Sequence, residues 1–365
     1  MIKIYEPFIS KETLKYAHEA LDSTWISSQG KYVELASSLL AEKLDVKHVL
    51  LTNNGTAATH LVALSLKFQN PNIKQLIVPN NVFVAAWNSM LYEYPKSMLY
   101  AMDCSLETWN AAYDESHVDP LDENIAFLVV HNVGNVVNVP KLQARFKNAL
   151  FIEDNCEGLF GRYENQYTGT ASLASSISFF SNKTITSGEG GAYITNDTTL
   201  FEHIKKIHSQ GQGSTRYLHD LMGYNYRMTN IQAAILYGQL QELHLIQERK
   251  SEIFAYLEAK LNDICTFPKR EANTVPAKWM VAAKIDHAAH TFVKFQKHMA
   301  SSNIEVRPMF YPINAHDHLY DINVASTTNA KSLNEKGFML PSHPNLTNEN
   351  LDAIIRAIRE YVSTL

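Results

Sequence analysis

A lysine inside a glycine-rich block is the group in this sequence best suited to covalent chemistry. Lys183 stands in Ser178-Phe179-Phe180-Ser181-Asn182-Lys183-Thr184-Ile185-Thr186-Ser187-Gly188-Glu189-Gly190-Gly191, and Ala192-Tyr193-Ile194-Thr195 then resumes a strand. A partly desolvated lysine can lose its proton and form a Schiff base. A lone lysine is more often a solvated surface group, and the turn suits a plain hairpin equally. Upstream, Phe151-Ile152-Glu153-Asp154-Asn155-Cys156-Glu157 ends an apolar run on carboxylates. Buried acids are costly unless paired, so they call for a partner. A helix cap or a structural salt bridge is as good a reading as a functional one. Thr52-Asn53-Asn54-Gly55-Thr56-Ala57-Ala58 follows a strand and opens a helix. Free N–H groups there, with Gly55 allowing close approach, would form an anion site. Taken alone, an ordinary capped turn is the better reading. Gly223-Tyr224-Asn225-Tyr226-Arg227-Met228-Thr229-Asn230 crowds aromatic, amide and guanidinium groups before a helix. It is equally readable as a capping loop with packed tyrosines.

Together these parts suit pyridoxal phosphate. That cofactor needs an amine, an anion for its pyridine nitrogen, a phosphate cup and an apolar face. Lys183, Asp154, the Gly55-Thr56-Ala57 turn and Phe83 supply that set. A nicotinamide cofactor fits less well, because no GxGxxG follows an early strand. No set of metal ligands is assigned.

The elements that must position these groups alternate in type. Val49–Leu51, Leu76–Val78, Ser97–Tyr100, Ala126–Val130 and Leu150–Ile152 read as buried strands. Thr56–Phe68 and Phe83–Tyr92 carry helical patterns. The alternation predicts an α/β fold with a mostly parallel sheet flanked by helices, whose ligands sit at the carboxyl ends of strands. Asn230 is read as the N-cap of one long helix running from Ile231 toward Leu261. A composition change after it separates a large domain, 1–245, from a smaller C-terminal α+β domain, 246–365. Asn348–Val362 reads as a closing helix.

Composition narrows the function classes. The chain has 365 residues, 45% hydrophobic and 19% charged, which permits a sizeable core and excludes global disorder. A net charge of -5 argues against nucleic acid or an anionic membrane as partner. The run Ile125–Val130 is too short to span a bilayer, and the start lacks an apolar signal region. Cys104, Cys156 and Cys265 form no CxxC pair and make no full disulfide framework, which favours a reducing compartment, the cytoplasm.

Across nearly its whole length the chain resembles the DegT/DnrJ/EryC1/StrS sugar aminotransferases, which have pyridoxal phosphate fold type I. The resemblance rests on Ser23 to Gly30, Asn54-Gly55-Thr56-Ala57-Ala58, Pro79 to Ala85, Glu153-Asp154 and the lysine block. The lysine block, Gly223 to Asn230, Val306 to Pro312 and Leu340 to Leu346 are close to the forms seen in perosamine and viosamine synthases. Asn155-Cys156, Phe160 and Ser172-Leu173 depart from the usual pattern. The resemblance implies that Lys183 carries the cofactor covalently and shuttles the proton, and that Asp154 pairs with the pyridine nitrogen. It implies that Gly55, Thr56, Ala57 and Ser178 hold the phosphate, that Phe83 stacks on the ring, and that Glu157 lies beside it. Asn225 would reach the phosphate from a neighbouring subunit of a homodimer with shared sites. Trp25, Ser27, His219, Arg307 and Tyr311 would meet the substrate. The implied reaction moves an amino group from L-glutamate to C4 of a nucleotide-linked 4-keto-6-deoxyhexose, giving a viosamine- or perosamine-type product. The alternatives are a 3-aminotransferase, a related dehydratase, against which Lys183 argues, and a catalytically silent scaffold.

Overall fold

Short runs of buried residues become the strands of one eight-stranded sheet in the computed structural model, which describes residues 1–113 and 118–365. The sheet order is β1 (His48–Thr52), β9 (Gly191–Thr195), β8 (Ser175–Ser178), β5 (Leu150–Asp154), β4 (Ile125–Val130), β2 (Gln75–Pro79), β3 (Leu99–Met102) and β13 (Asn323–Val324). From β8 to β13 every neighbouring pair is parallel, whereas β9 runs antiparallel to both β8 and β1. All of β4 is buried, as a strand covered on both faces requires. The strand expected at Ser97–Tyr100 is displaced toward the C-terminus. Pro95 holds extended backbone, residues 96–98 make a 3-10 turn, and pairing with β2 begins only at Leu99.

Helix α3 (Gly55–Gln69) follows β1, α4 (Val84–Leu91) follows β2, α5 (Val139–Arg145) links β4 to β5, and α6 (Thr198–His208) follows β9. In α3 the buried residues lie on several faces, because the helix is wedged between α4 and the sheet. Helices α1 (Lys11–Asp22) and α2 (Lys31–Leu44) pack against α7 (Asn230–Gln241). The rings of Tyr16 and Tyr237 meet edge to face at 5.0 Å in that seam.

The long helix expected from Ile231 is two helices, α7 and α8 (Leu243–Leu261), parted at Glu242. Glu242 leaves helical geometry at φ -103, ψ 15, and its carboxylate accepts a hydrogen bond from Ser10, the N-cap of α1. The N-cap of α7 is Thr229, in a capping box with Gln232, rather than Asn230. Asn230 is instead the first helical residue. Its Oδ1 accepts from the Tyr32 N–H at 2.9 Å, and its Nδ2 donates to the Trp25 carbonyl at 2.6 Å.

Beyond α8 a second core forms around Leu257, Phe295, Phe338 and Ile358. It is built on β11 (Val281–Lys284), β14 (Gly337–Leu340) and β12 (Arg307–Pro308), with α9 (Phe292–Ser301), α10 (Thr328–Lys336) and α11 (Asn348–Ser363). Phe295 and Phe338 pack with ring centroids 4.1 Å apart. A small antiparallel sheet pairs β6 (Arg162–Tyr163) with β7 (Gln166–Tyr167) and with β10 (Thr274–Val275). Among the described residues, no helix is long and apolar enough to cross a membrane.

Candidate active site

The carboxyl ends of β4, β5 and β8 bring Val130, Asp154 and Ser178 to one cavity of about 930 Å³. The turn from β1 into α3 forms one wall. Asn54 caps α3, its Oδ1 accepting from the Ala57 N–H at 2.8 Å. Backbone N–H groups in a first helical turn lack intrahelical acceptors and favour an anion, which places Gly55 and Thr56 at such an end. Ser178 adds a hydroxyl from the opposite side. A Cβ on residue 55 would stand 2.7 Å from the Ser178 Cβ, so this close approach requires glycine.

Strand alternation separates the acidic pair at the end of β5. Glu153 points into the core, where its Oε2 lies 2.8 Å from His131 Nε2 and accepts from the Gly169 N–H at 2.8 Å. The Val137 N–H donates to His131 Nδ1, so the ring proton is on Nε2 and is donated to Glu153. The partner that a buried acid demands is therefore found for Glu153, and it is structural. Asp154 points into the cavity, where its Oδ1 accepts from the Cys156 N–H at 3.0 Å.

Lys183 follows β8 in a loop whose Lys183 N–H donates to the Phe180 carbonyl at 2.9 Å. Its amine lies 4.3 Å from the centroid of the Trp279 ring. Phe83 precedes α4 in extended backbone, leaving its ring 58% exposed at the cavity and edge-on to Phe310. Glu157 is buried, and its Oε2 accepts from the Val133 N–H at 2.8 Å. Burial pushes its carboxyl up to about 7, against the opposing pull of the Lys183 charge and the Val133 N–H. Burial likewise raises the Cys156 thiol well above its usual range, and the Asp154 charge adds to the shift.

Gly55, Thr56, Ala57, Phe83, Asp154, Glu157, Ser178, Lys183, Arg307 and Tyr311 thus line a single cavity. Trp25, Ser27, His219 and Asn225 are not part of its lining within this chain. Trp25 is 58% exposed, and the Ser27 carbonyl accepts from the Asn230 N–H at 2.6 Å. His219 pairs through Nδ1 with the Gln210 carbonyl, and Asn225 Oδ1 accepts from the Arg227 guanidinium at 3.1 and 3.2 Å. Tyr92, Tyr226, Trp279, Phe310 and His316 also line the cavity. No spacing connects Trp279 or His316 to the lysine block, since each lies in a connecting segment late in the chain. Among the described residues, no cluster of three or more His, Cys, Asp or Glu could hold a metal ion.

The donor set fits pyridoxal phosphate: an amine, a cavity-facing carboxylate, a helix N-terminus with a hydroxyl opposite, and an exposed aromatic ring. Its phosphate, ring nitrogen and aldehyde each have a counterpart of the right chemistry.

The sequence profile of the DegT/DnrJ/EryC1/StrS aminotransferase family matches residues 7–359. The chain is 34% identical over 367 residues to the GDP-perosamine synthase of Escherichia coli O157:H7, covering 99% of each chain. It is 30% identical over 379 residues to the GDP-perosamine synthase of Vibrio cholerae, covering 100% of each. Among solved structures it resembles Helicobacter pylori PseC, an aminotransferase involved in the biosynthesis of pseudoaminic acid. That match has a TM-score of 0.88 at 25% identity and covers 99% of this chain and 98% of that one.

Proposed function

The chain belongs to the DegT/DnrJ/EryC1/StrS aminotransferase family, and we propose that it aminates C4 of a GDP-linked 4-keto-6-deoxyhexose with L-glutamate as donor. It is a pyridoxal-phosphate-dependent sugar aminotransferase of fold type I. The product under this reading is a GDP-4-amino-4,6-dideoxyhexose of the perosamine type. The observation that carries it is the convergence of Lys183, Asp154 and the α3 N-terminus on one cavity, in a chain matching GDP-perosamine synthases end to end.

Pyridoxal phosphate, when bound, supplies an electrophilic carbon and a ring that withdraws electrons from it. Lys183 provides the amine that holds it, takes the proton from Cα of glutamate and returns a proton in the second half of the cycle. Asp154 holds the proton on the pyridine nitrogen by direct charge interaction. Gly55, Thr56 and Ser178 bind the phosphate at the positive end of α3. Phe83 covers one face of the ring and keeps water from it. Glu157, raised by burial to about 7, keeps a protonated fraction at neutral pH that offers a hydrogen-bond donor beside the ring, where an ionised carboxylate would repel an oxyanion. Arg307 and Tyr311 meet the substrates at the cavity mouth.

The working unit is a homodimer in which Trp25, Ser27, His219 and Asn225 reach the partner's cavity. Their exclusion from their own cavity supports this arrangement. The reading also divides the chain near residue 245, with the core around Phe295 and Phe338 belonging to the smaller part. The test is amination of GDP-, UDP- and dTDP-linked 4-keto-6-deoxysugars with glutamate, with product structures read by NMR. A GDP-linked product carrying nitrogen on C4 is expected. Preference for another nucleotide, or nitrogen on C3, overturns the substrate assignment.

A further inference from the structure

We infer that Trp279 is a positioning residue for the amine of Lys183, braced by Tyr5 and Lys250; the inference rests on the reading that Lys183 is the cofactor-bearing lysine. Trp279 is almost wholly buried, and its Nε1 donates to the Asn182 carbonyl at 2.9 Å. The same ring presents its face to the Lys183 amine, 4.3 Å from the centroid. One side chain thus grips the peptide just before the lysine and seats the group at the far end of its stem. The Tyr5 hydroxyl donates to the carbonyl of Lys183 itself. Two consecutive carbonyls of the lysine loop are therefore held by aromatic donors from outside that loop.

Lys250 supports both aromatics. It lies within α8, 1% exposed, and its amine donates to the carbonyls of Trp279 at 2.8 Å and Ser342 at 3.0 Å. The amine also lies 5.5 Å from the centroid of the Tyr5 ring. Ser342 in turn accepts from the Val281 N–H at 3.0 Å, tying the start of β11 to the same point. Its acceptors are neutral carbonyls, so burial is costly and pushes this amine down to about 7. A methionine would fill the space without that cost. What the amine adds is a fixed Trp279 carbonyl, and hence a fixed indole.

The arrangement has a use in the reaction. Within each cycle the lysine leaves the cofactor, acts on a proton and returns. A free amine on a four-carbon stem samples many rotamers, whereas a ring face gives it one preferred seat. While the amine carries its proton the ring face holds it by a cation–π contact, about tenfold in a desolvated site, and the amine reacts from that seat once the proton has left.

Two measurements test this. First, capture of pyridoxal phosphate by cofactor-free protein is followed by absorbance in Trp279→Leu, Trp279→Phe and Lys250→Met. Trp279→Leu should slow capture about tenfold. Trp279→Phe, which keeps a ring face, should recover to within about threefold of the unmutated rate, and Lys250→Met should fall between them. Capture by Trp279→Leu at the unmutated rate overturns the inference; equal slowing in the Phe and Leu variants, which both lack the donor to the Asn182 carbonyl, overturns the seating of the amine by the ring face. Second, the unmutated cofactor-free protein is reductively methylated with 13C-formaldehyde, and the Lys183 signal is identified by its loss in Lys183→Arg. An amine over the indole face should be shifted upfield by the ring current. An unshifted signal overturns the inference whether or not any Trp279 variant folds. Borohydride fixation of the cofactor in the unmutated chain tests the underlying reading separately. A label on another lysine removes that reading, whereas a label on Lys183 with unchanged capture removes only the role of Trp279.

Discussion

Gly55 and Ser178 approach so closely that a Cβ on residue 55 would stand 2.7 Å from the Ser178 Cβ and 2.9 Å from its Oγ. The two residues lie on the helix side and the sheet side of the proposed phosphate cup. Neither neighbour can yield cheaply, because Ser178 ends a fully buried strand. Gly55→Ala should therefore widen the cup and cost about 1–3 kcal/mol of stability or cofactor binding. A titration of cofactor-free protein with pyridoxal phosphate, beside a thermal melt, checks this. Unchanged affinity together with an unchanged melting temperature would show that the cup is roomier than its geometry states.

Lys183→Ala should lower turnover at least roughly 10²-fold, because it removes both the covalent anchor and the proton carrier. The pure unmutated protein should be yellow and the variant should lose the lysine-bound absorbance. Peptide mapping after borohydride treatment should place the cofactor on Lys183. Full activity in the variant refutes the assignment.

Asp154 faces the cavity while Glu153 is committed to His131. The two acids should therefore respond differently to amide substitution. Asp154→Asn keeps shape and loses charge, and should slow the half-reaction with glutamate by roughly 10²-fold. Glu153→Gln should act mainly on stability. Stopped-flow traces of Asp154→Asn at the unmutated rate would mean that another group holds the ring nitrogen.

Much of this site was readable because its parts are local. The lysine block, the Gly55 turn and the acidic pair each occupy a few consecutive residues next to a strand end, and β alternation makes adjacent acids face opposite ways. The sheet was readable for the same reason, since β4 and β5 are short buried runs beside helical patterns. What could not be read depends on distant packing. The break at Glu242 falls where its carboxylate meets Ser10, distant in sequence, and local helix propensity carries no trace of that contact. Trp279, Lys250 and Tyr5 meet only because the segment before β11, α8 and the N-terminal segment converge, with Trp279 and Tyr5 in one apolar cluster with Ile4 and Met280. Asn230 attracts the N-cap role by residue type, yet Thr229 takes it because the Asn230 side chain is engaged with Tyr32 and Trp25.

Glu157 predicts a pH dependence with a definite sign. Its carboxyl is raised by burial from 4.5 to about 7, so the folded state holds a proton that the unfolded state has already released. This contribution to stability is intact below about pH 4.5, declines as pH rises toward 7, and stays lost above that. The full span corresponds to roughly 3 kcal/mol at most. Gln cannot ionise and still offers an oxygen to the Val133 N–H. Glu157→Gln should therefore gain in relative melting temperature between about pH 5 and pH 8 in cofactor-free protein. A difference that is flat across this range means that the carboxyl titrates normally.

Asn225 carries the prediction about assembly. Its side chain is held by Arg227 at the protein surface and does not line the cavity of its own chain. In a two-fold dimer each subunit can complete the other's site. A phosphate dianion needs more donors than one helix terminus gives, and a borrowed amide meets that need. Consider Lys183→Ala subunits combined with Asn225→Ala subunits. If Asn225 serves the partner, one site of the heterodimer carries both defects and the other carries none. Random mixing should then restore about a quarter of unmutated activity, and a purified two-tag heterodimer about half. If Asn225 serves its own chain, every site keeps one defect and mixing restores nothing. The comparison requires Asn225→Ala to be severely impaired as a homodimer, which the same assay measures first. Co-expression with two tags ensures that mixed dimers form, and their isolation by sequential affinity steps makes the two outcomes differ between half activity and none.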